Sequence, residues 1–263
     1  MSLQSQRNLL LFVIASVSAV TVASVSTFGS VATPQQVRSP PERLAQMEHH
    51  FSQVSLIHEA VIRGDLRAVR EPAKLLAEAE APRDVAASTA PYVAAMRLAA
   101  TRAVDAQDLA SVAAATSSML LSCGDCHRTA GTMPGPETPK RPDVGGLVGH
   151  MLEHQRATDE MLEGLFIPSE AQWIRGATRF LGAPLRPQSL PRDPKLTPDI
   201  RKAEERAHQF AERAIRATAW KDRGDIYAQL LTTCASCHSL HGVVWGPDDR
   251  LDGEAMKLVR SLL

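Results

Sequence analysis

The sequence predicts an all-α protein made of two tandem copies of one four-helix unit. Apolar residues recur with the 3.6-residue period of a helix, and no long stretch shows the period of two that a sheet would need. The two halves of the chain also align with each other. The predicted helices cover residues 42–63, 67–80, 91–105 and 107–127 in the first copy, and 144–166, 169–181, 197–218 and 221–241 in the second.

The alignment of the halves indicates a duplication. An offset of 104 residues places Met47 and His50 on Met151 and His154, and an offset of 111 superposes the cysteine-containing segments further along. The seven residues by which these offsets differ fall in the proline-rich stretch 184–194. Proline interrupts helices and restricts the residue before it, so this stretch is predicted to be a loop.

The fourth helix of each copy shows the clearest stripe. In the first copy the stripe consists of Leu109, Val112, Thr116, Met119, Cys123 and Cys126. We therefore expect domain 1 at 42–128 and domain 2 at 144–241, below called copy 1 and copy 2. The Pro- and Gly-rich segment 129–143 is the predicted linker, and 242–263 forms a C-terminal tail.

The N-terminal segment predicts export from the cytoplasm. A short basic region ending at Arg7 precedes an apolar run, and no charged residue follows until Arg38. A small-residue pattern ending at Ala32 fits signal-peptide cleavage, so residues 1–32 are predicted to be a secretory signal. The alternative is an uncleaved anchor that associates with the membrane through residues 9–32. Both readings place the folded part in the periplasm.

Composition narrows the function classes. Lys and Arg together number 29, as do Asp and Glu, and this balance argues against a nucleic-acid partner. Aromatic residues make up only 4% of the chain. Two helical cores with so few rings must be filled by aliphatic side chains or by a group that is not protein.

The cysteines indicate what that group is. All four occur in two motifs, Cys123-Gly-Asp-Cys126-His127 and Cys234-Ala-Ser-Cys237-His238. Cys-x-x-Cys-His is the attachment signature of c-type haem, in which the thiols add to the porphyrin vinyl groups and the histidine becomes an axial iron ligand. We therefore predict two c-type haems, each with its iron, as the cofactors.

Other uses of paired cysteines fit less well. Zinc sites normally separate their Cys pairs by about 15–20 residues, whereas 107 residues separate Cys126 from Cys234. A thioredoxin-like pair needs a βαβ context, and no strand-rich run lies nearby. Disulfide bonds leave the histidine after each pair unexplained.

The position of the motif carries a family resemblance. Only 25 residues follow His238, while about 80 helical residues precede the motif within its copy. This arrangement resembles the class II cytochromes c, the cytochrome c-prime family, over residues 42–128 and 144–241. The resemblance implies a four-helix bundle with haem near the end of its last helix. It also implies His127 and His238 as proximal ligands, with the first helix facing the sixth position.

The sixth ligand stays open between three alternatives. His50 and His154 are favoured because a buried imidazole on an apolar stripe needs a polar partner. Met47 and Met151 are the second alternative, by analogy with Met-ligated members of the family. The third is a five-coordinate iron.

Several residues around the motifs carry weaker expectations. Arg102 and Arg213 occupy equivalent positions, and one hypothesis pairs them with haem propionates. Glu163 is expected on a solvated helix face, His49 in solvent, and His58 on a partly exposed helix surface.

The function predicted from these features is electron transfer. An iron with two axial protein ligands has no open site, so such a protein would pass electrons between a donor and an acceptor protein and would not be an enzyme. A five-coordinate haem that binds a gas such as NO is the alternative. A dihaem peroxidase fits less well, because no catalytic constellation accompanies the motifs.

Overall fold

The described part of the chain is entirely helical, as predicted. The computed structural model describes residues 41–81, 87–132, 146–184 and 197–240, and within them it has eight α-helices, one 3-10 turn and no strand. The helices are α1 Pro41–Arg63, α2 Arg70–Ala77, α3 Ala90–Asp105, α4 Leu109–Ala130, α5 Gly146–Phe166, α6 Glu170–Leu181, α7 Thr197–Arg216 and α8 Trp220–Leu240. The expected signal or anchor at 1–32, the tail at 242–263 and most of the linker lie outside the described residues.

Helix α4, which carries the first motif, has a polar cap at its start and a glycine at its end. The Asp108 carboxylate accepts a hydrogen bond from the Ser111 backbone N–H at 2.7 Å, an N-cap contact that also lowers the pKa of this carboxyl. The helix ends at Gly131, whose φ of 65° is the left-handed conformation that glycine adopts without strain. These signals extend α4 three residues beyond the expected end at 127.

Helices α4 and α8, the last helices of the two copies, pack against each other at the centre. A glycine makes this close approach possible: a Cβ at Gly224 would lie 2.6 Å from Leu121 Cδ1 and 2.7 Å from Ser117 Oγ. The buried Ser117 hydroxyl donates a 2.7 Å hydrogen bond to the Gly224 carbonyl. A polar group is thereby satisfied within the interface between the copies.

The first helix of each copy packs more closely on the last helix of the other copy than on that of its own copy. Helix α1 has a larger contact with α8 than with α4, and α5 has a larger contact with α4 than with α8. The described helices of both copies consequently belong to one compact unit. Each Cys-x-x-Cys-His motif is thus flanked by helices from both copies.

A buried polar chain links three of these helices. The Tyr227 hydroxyl, on α8, lies 2.8 Å from His58 Nε2 on α1 and donates a 3.0 Å hydrogen bond to the Thr158 carbonyl on α5. With its proton used there, the hydroxyl accepts from His58 Nε2–H. His58 is only 5% exposed, so the expected partial exposure is wrong. It is covered by α8, a neighbour that its own helical periodicity does not reveal.

The core is mostly aliphatic, with its few large rings concentrated in copy 2. Trp173, Phe180 and Tyr227 are fully buried, and Trp173 Nε1 donates a 2.8 Å hydrogen bond to the Ala214 carbonyl. Among the described helices, α4 alone is long and apolar enough to cross a membrane, but half of its apolar window is buried within this core. That burial is typical of the central helix of a bundle.

Candidate functional site: the two Cys-x-x-Cys-His motifs

The first motif lies in the last turns of α4 and opens onto a cavity. Cys123 and Cys126 are three residues apart on one helix, so their side chains share a face, and neither forms a disulfide bond. Both thiols and His127 line a cavity of about 320 Å³, below called the copy-1 cavity.

The copy-1 cavity brings the predicted site residues of copy 1 together. Both Met47 and His50, on α1, line the same cavity, together with Arg43 at the start of the same helix. The remaining walls are largely apolar. They are formed by Phe51, Val54, Tyr92, Val93, Met96, Leu120, Ser122, Ala130, Thr132 and Phe166. The cavity therefore combines two thiols, two imidazoles and two thioethers within largely apolar walls.

The histidines of the two motifs make equivalent contacts across the copies. His127 Nδ1 lies 3.0 Å from the carbonyl oxygen of Phe166, and His238 Nδ1 lies 2.9 Å from that of Ile62. Ile62 and Phe166 are themselves equivalent, because they are separated by the offset of 104. Each motif histidine is thus held by the first helix of the other copy.

The ends of α1 and α5 explain these contacts. The last four carbonyls of a helix lack intrahelical partners and carry partial negative charge, so they accept hydrogen bonds from other groups. A carbonyl cannot donate, so each Nδ1 carries the proton that binds Ile62 or Phe166. This fixes the tautomer in which Nε2 carries the lone pair and no proton. Burial lowers the pKa of His127, and the Phe166 contact offsets this only in part, which favours the neutral ring.

The motif cysteines are protonated thiols. Burial raises the pKa of Cys123 to about 12, with a further contribution from Cys126, and raises that of Cys234 to about 12. A reactive or catalytic cysteine would instead have a lowered pKa. Within the described ranges, no cysteine belongs to a group of three or more metal-type ligands, which argues against a zinc site built on these pairs.

Copy 2 contains a polar cluster where copy 1 has its cavity. His150 and His154 on α5 face Glu204 on α7, and one ligand atom from each lies within 4.8 Å of the others, so the three could hold a metal ion. His208, also on α7, contacts Glu204 through Nε2 at 3.2 Å. We call these four residues the histidine–glutamate cluster. The other predicted ligand of copy 2, Met151, is half-buried on α5.

The cluster lies close to the second motif and shifts several pKa values. Burial and, to a smaller extent, the charge of His150 lower the pKa of His154 to about 3. Burial raises the pKa of Glu204, but the imidazoles of His150 and His208 outweigh this effect and keep its pKa well below the usual range. Burial, with a smaller effect from the Glu204 charge, raises the pKa of Cys237 to about 11.

The sequence singled out His154 but missed His150 and Glu204. A signal was present: His150 and His154 are four residues apart, as are Glu204 and His208. Residues with this spacing share a helix face. Two such pairs on different helices can converge on one point, but only the side-chain distances between α5 and α7 show that they do.

The pairing of Arg102 and Arg213 with haem propionates stays a prediction. Both residues are exposed, on α3 and α7, and the described arginine that lines the copy-1 cavity is Arg43. Glu163 is not solvated: it is 7% exposed and accepts a hydrogen bond from Gln172 on α6. Both residues of this pair are covered by helix packing, which periodicity within α5 did not show. His49 is exposed, as expected.

Gly124, inside the first motif, sets the distance between α4 and α5. A Cβ at this position would clash with the Leu165 carbonyl oxygen and lie 3.3 Å from the Pro168 ring. We expect Gly124→Ala to lower the free energy of unfolding by about 1–3 kcal/mol, because a backbone carbonyl cannot move aside as a flexible side chain can. Chemical denaturation measures this change.

The matched control is the reverse change at the equivalent position of copy 2. Ala235→Gly removes one methyl group and should cost only about 1 kcal/mol, mainly through helix propensity. Alanine is intrinsically the better helix former, so an increase in stability for Gly124→Ala would show that the close approach of α5 does not constrain this residue.

Each motif therefore combines two neutral thiols with a histidine whose Nδ1 is held by the end of a first helix. In copy 1 these groups surround a cavity, and in copy 2 they lie beside the histidine–glutamate cluster. Comparison with models of protein families, with curated proteins and with solved structures finds no match to this chain.

Proposed function

We propose that this protein is a periplasmic dihaem c-type cytochrome that carries electrons between redox partner proteins. The observation that carries the proposal is the pair of equivalent contacts His127 Nδ1 to Phe166 O and His238 Nδ1 to Ile62 O. A histidine that binds iron through Nε2 commonly donates its other N–H to a carbonyl, which fixes its orientation and raises its basicity. A histidine with only a structural role in the core would not need to make the same Nδ1 contact in both copies.

The residues present fit a covalently attached haem in copy 1. The copy-1 cavity has apolar walls, two protonated thiols on one helix face and an adjacent histidine with the required tautomer. Each thiol would add its sulfur and hydrogen across one vinyl group, which forms a thioether with no other reactant. The bound haem supplies a reversible one-electron iron couple.

The surrounding residues would then control that couple. His127 would bind the iron as one ligand, and His50 and Met47, which line the same cavity from α1, are the alternatives for the sixth ligand. Burial among Phe51, Val54 and similar side chains excludes water and lowers the local dielectric constant. These are the means by which a protein sets a haem potential.

Copy 2 has the same attachment groups but a different environment. Cys234, Cys237 and the fixed ring of His238 repeat the arrangement of copy 1. His154 and Met151 remain the alternatives for its sixth ligand, and the nearby charge of Glu204 has no counterpart in copy 1, where Val93 occupies the equivalent position. Two haems in such unlike surroundings are expected to have different potentials.

The test uses the full chain, exported in a host that can mature c-type cytochromes. We expect two covalently bound haems per chain, reversible reduction, and slow or weak binding of CO to the ferrous protein because the sixth positions are filled. Rapid CO binding at neutral pH would instead support the alternative of a gas-binding haem. A colourless protein with the mass of its polypeptide would overturn both.

A matched pair of variants identifies the sixth ligand in copy 1. We expect His50→Ala to open the iron of copy 1, giving a high-spin spectrum and rapid CO binding at one haem of the two. Met47→Leu keeps the volume of the side chain and should leave ligation unchanged. The reverse result, with the spectrum altered only by Met47→Leu, would assign the ligand to the methionine.

A further inference from the structure

The histidine–glutamate cluster of copy 2 has the composition of a metal centre that is separate from any haem. Two histidines from α5 and a glutamate from α7 converge. His150 Nε2 lies 3.4 Å from Glu204 Oε2, and His154 Nε2 lies 3.8 Å from Glu204 Oε1. Ligands that are about 2.0–2.1 Å from a tetrahedral zinc ion lie about 3.4 Å from one another. The cluster is therefore close to the spacing that such an ion requires.

The burial of His150 is the second, independent observation. Its residue is 8% exposed, and neither ring nitrogen has a hydrogen-bonding partner, although Nε2 points toward the Glu204 carboxylate. An imidazole buried without hydrogen bonds lowers the stability of the fold. A bound cation between His150 and Glu204 would remove this cost, because it gives one ring nitrogen a partner.

The cluster is not a by-product of the duplication. The positions in copy 1 that correspond to His150, Glu204 and His208 hold Gln46, Val93 and Arg97, so only the His154 position keeps its residue type, as His50. A set of ligands that serves the fold or the haem in general would be expected in both copies. This one is specific to copy 2.

We propose that His150, His154 and Glu204 bind a divalent transition-metal ion, with zinc as the best match. Imidazole nitrogen and carboxylate oxygen are typical zinc ligands. His208 Nε2 lies 3.2 Å from Glu204 Oε1, beside the proposed ligands. His154 Nε2 also lies 3.3 Å from the Ala183 carbonyl oxygen, a contact that ion binding replaces.

The site has a consequence that rests on the proposed function. If these residues bind zinc, His154 is not the sixth ligand of the second haem. A neutral imidazole has a single lone pair, so it cannot bind two metal ions. Only copy 1 would have a histidine for its sixth ligand, and the sixth position of copy 2 would be filled by Met151 or be open.

The experiment measures zinc in the full-length, haem-loaded protein. After treatment with a chelator, equilibrium dialysis against Zn²⁺ should give one equivalent of zinc per chain by elemental analysis. His150→Gln and Glu204→Gln should each weaken binding at least tenfold, while His49→Gln, an exposed histidine on α1, should leave it unchanged. Zinc should also raise the melting temperature of the wild type but not of His150→Gln, since an ion stabilises only the state that binds it.

The variant His154→Gln separates this proposal from the electron-transfer proposal. Loss of zinc with unchanged haem spectra is the expected result. Altered spectra at one haem, with no zinc bound by the wild type, would assign His154 to the haem iron and overturn the metal site while the cytochrome proposal stands. Stoichiometric zinc on a chain that carries no haem would instead support the metal site and overturn the cytochrome proposal. Zinc binding that survives in both His150→Gln and Glu204→Gln also overturns the site.

Discussion

Replacing Cys123 and Cys126 together with alanine should leave the exported protein with one covalent haem where the wild type has two. Without both sulfurs no thioether can form at the copy-1 cavity, so a haem there would have no covalent attachment. The intact mass should fall by one haem relative to the wild type, and the absorbance per chain should be about half. Mass spectrometry and the pyridine haemochrome spectrum measure these quantities.

The matched control is the double change Cys234→Ala, Cys237→Ala. It should also retain one haem, and the spectra of the two variants should add up to that of the wild type. The variants should differ from each other, because an apolar cavity surrounds one motif and Glu204 lies near the other. If either double variant kept two covalent haems, or the wild type had none, the predicted attachment would be wrong.

Acidification from pH 7 to pH 4 should remove about 3 kcal/mol of stability through His58 alone. Burial lowers the pKa of this imidazole from 6.5 to about 4. The unfolded chain takes up a proton below about pH 6.5, whereas the folded protein does so only near pH 4. The free energy of unfolding therefore falls between about pH 6.5 and pH 4, and His58 causes little further decrease below pH 4. Each pKa unit corresponds to about 1.4 kcal/mol.

The variant His58→Leu isolates this contribution, since the equivalent residue of copy 2 is Leu162. Other groups titrate in both proteins, so the quantity to measure is the difference in unfolding free energy between wild type and variant at each pH. That difference should decrease by about 3 kcal/mol between pH 7 and pH 4. The exposed His49→Leu should show little change at either pH. A constant difference for His58→Leu would show that the side chain is not buried in the neutral form.

The helices could be predicted because their signals are local. The stripe through Val112, Thr116 and Met119 is confirmed as buried, and Asp108 begins α4 as a capping residue should. Similar signals placed all eight helices within a few residues of their observed ends. Local periodicity does not report which helix covers a given face. His58 and Glu163 were misjudged for that reason, since His58 is covered by α8 and Glu163 is paired with Gln172 on α6.

The candidate sites divide in the same way. The two motifs and the first-helix residues Met47 and His50 were identified from spacing, and the copy-1 cavity brings Met47 and His50 together with Cys123, Cys126 and His127. The carbonyl of Phe166 that holds His127 could not be predicted, because a backbone acceptor leaves no trace in residue type. The position of Glu204 close to His150 and His154 could not be predicted either.

By itself the sequence determined that the described chain is helical and that it carries two equivalent Cys-x-x-Cys-His motifs. The tertiary structure decided that the copies exchange contacts, so that the end of α1 holds His238 and the end of α5 holds His127. The physical reason is range. Helix periodicity and motif spacing act over a few residues along the chain, whereas the pairing of α1 with α8 and α5 with α4 depends on which apolar faces and small residues, such as Gly124 and Gly224, allow the closest packing.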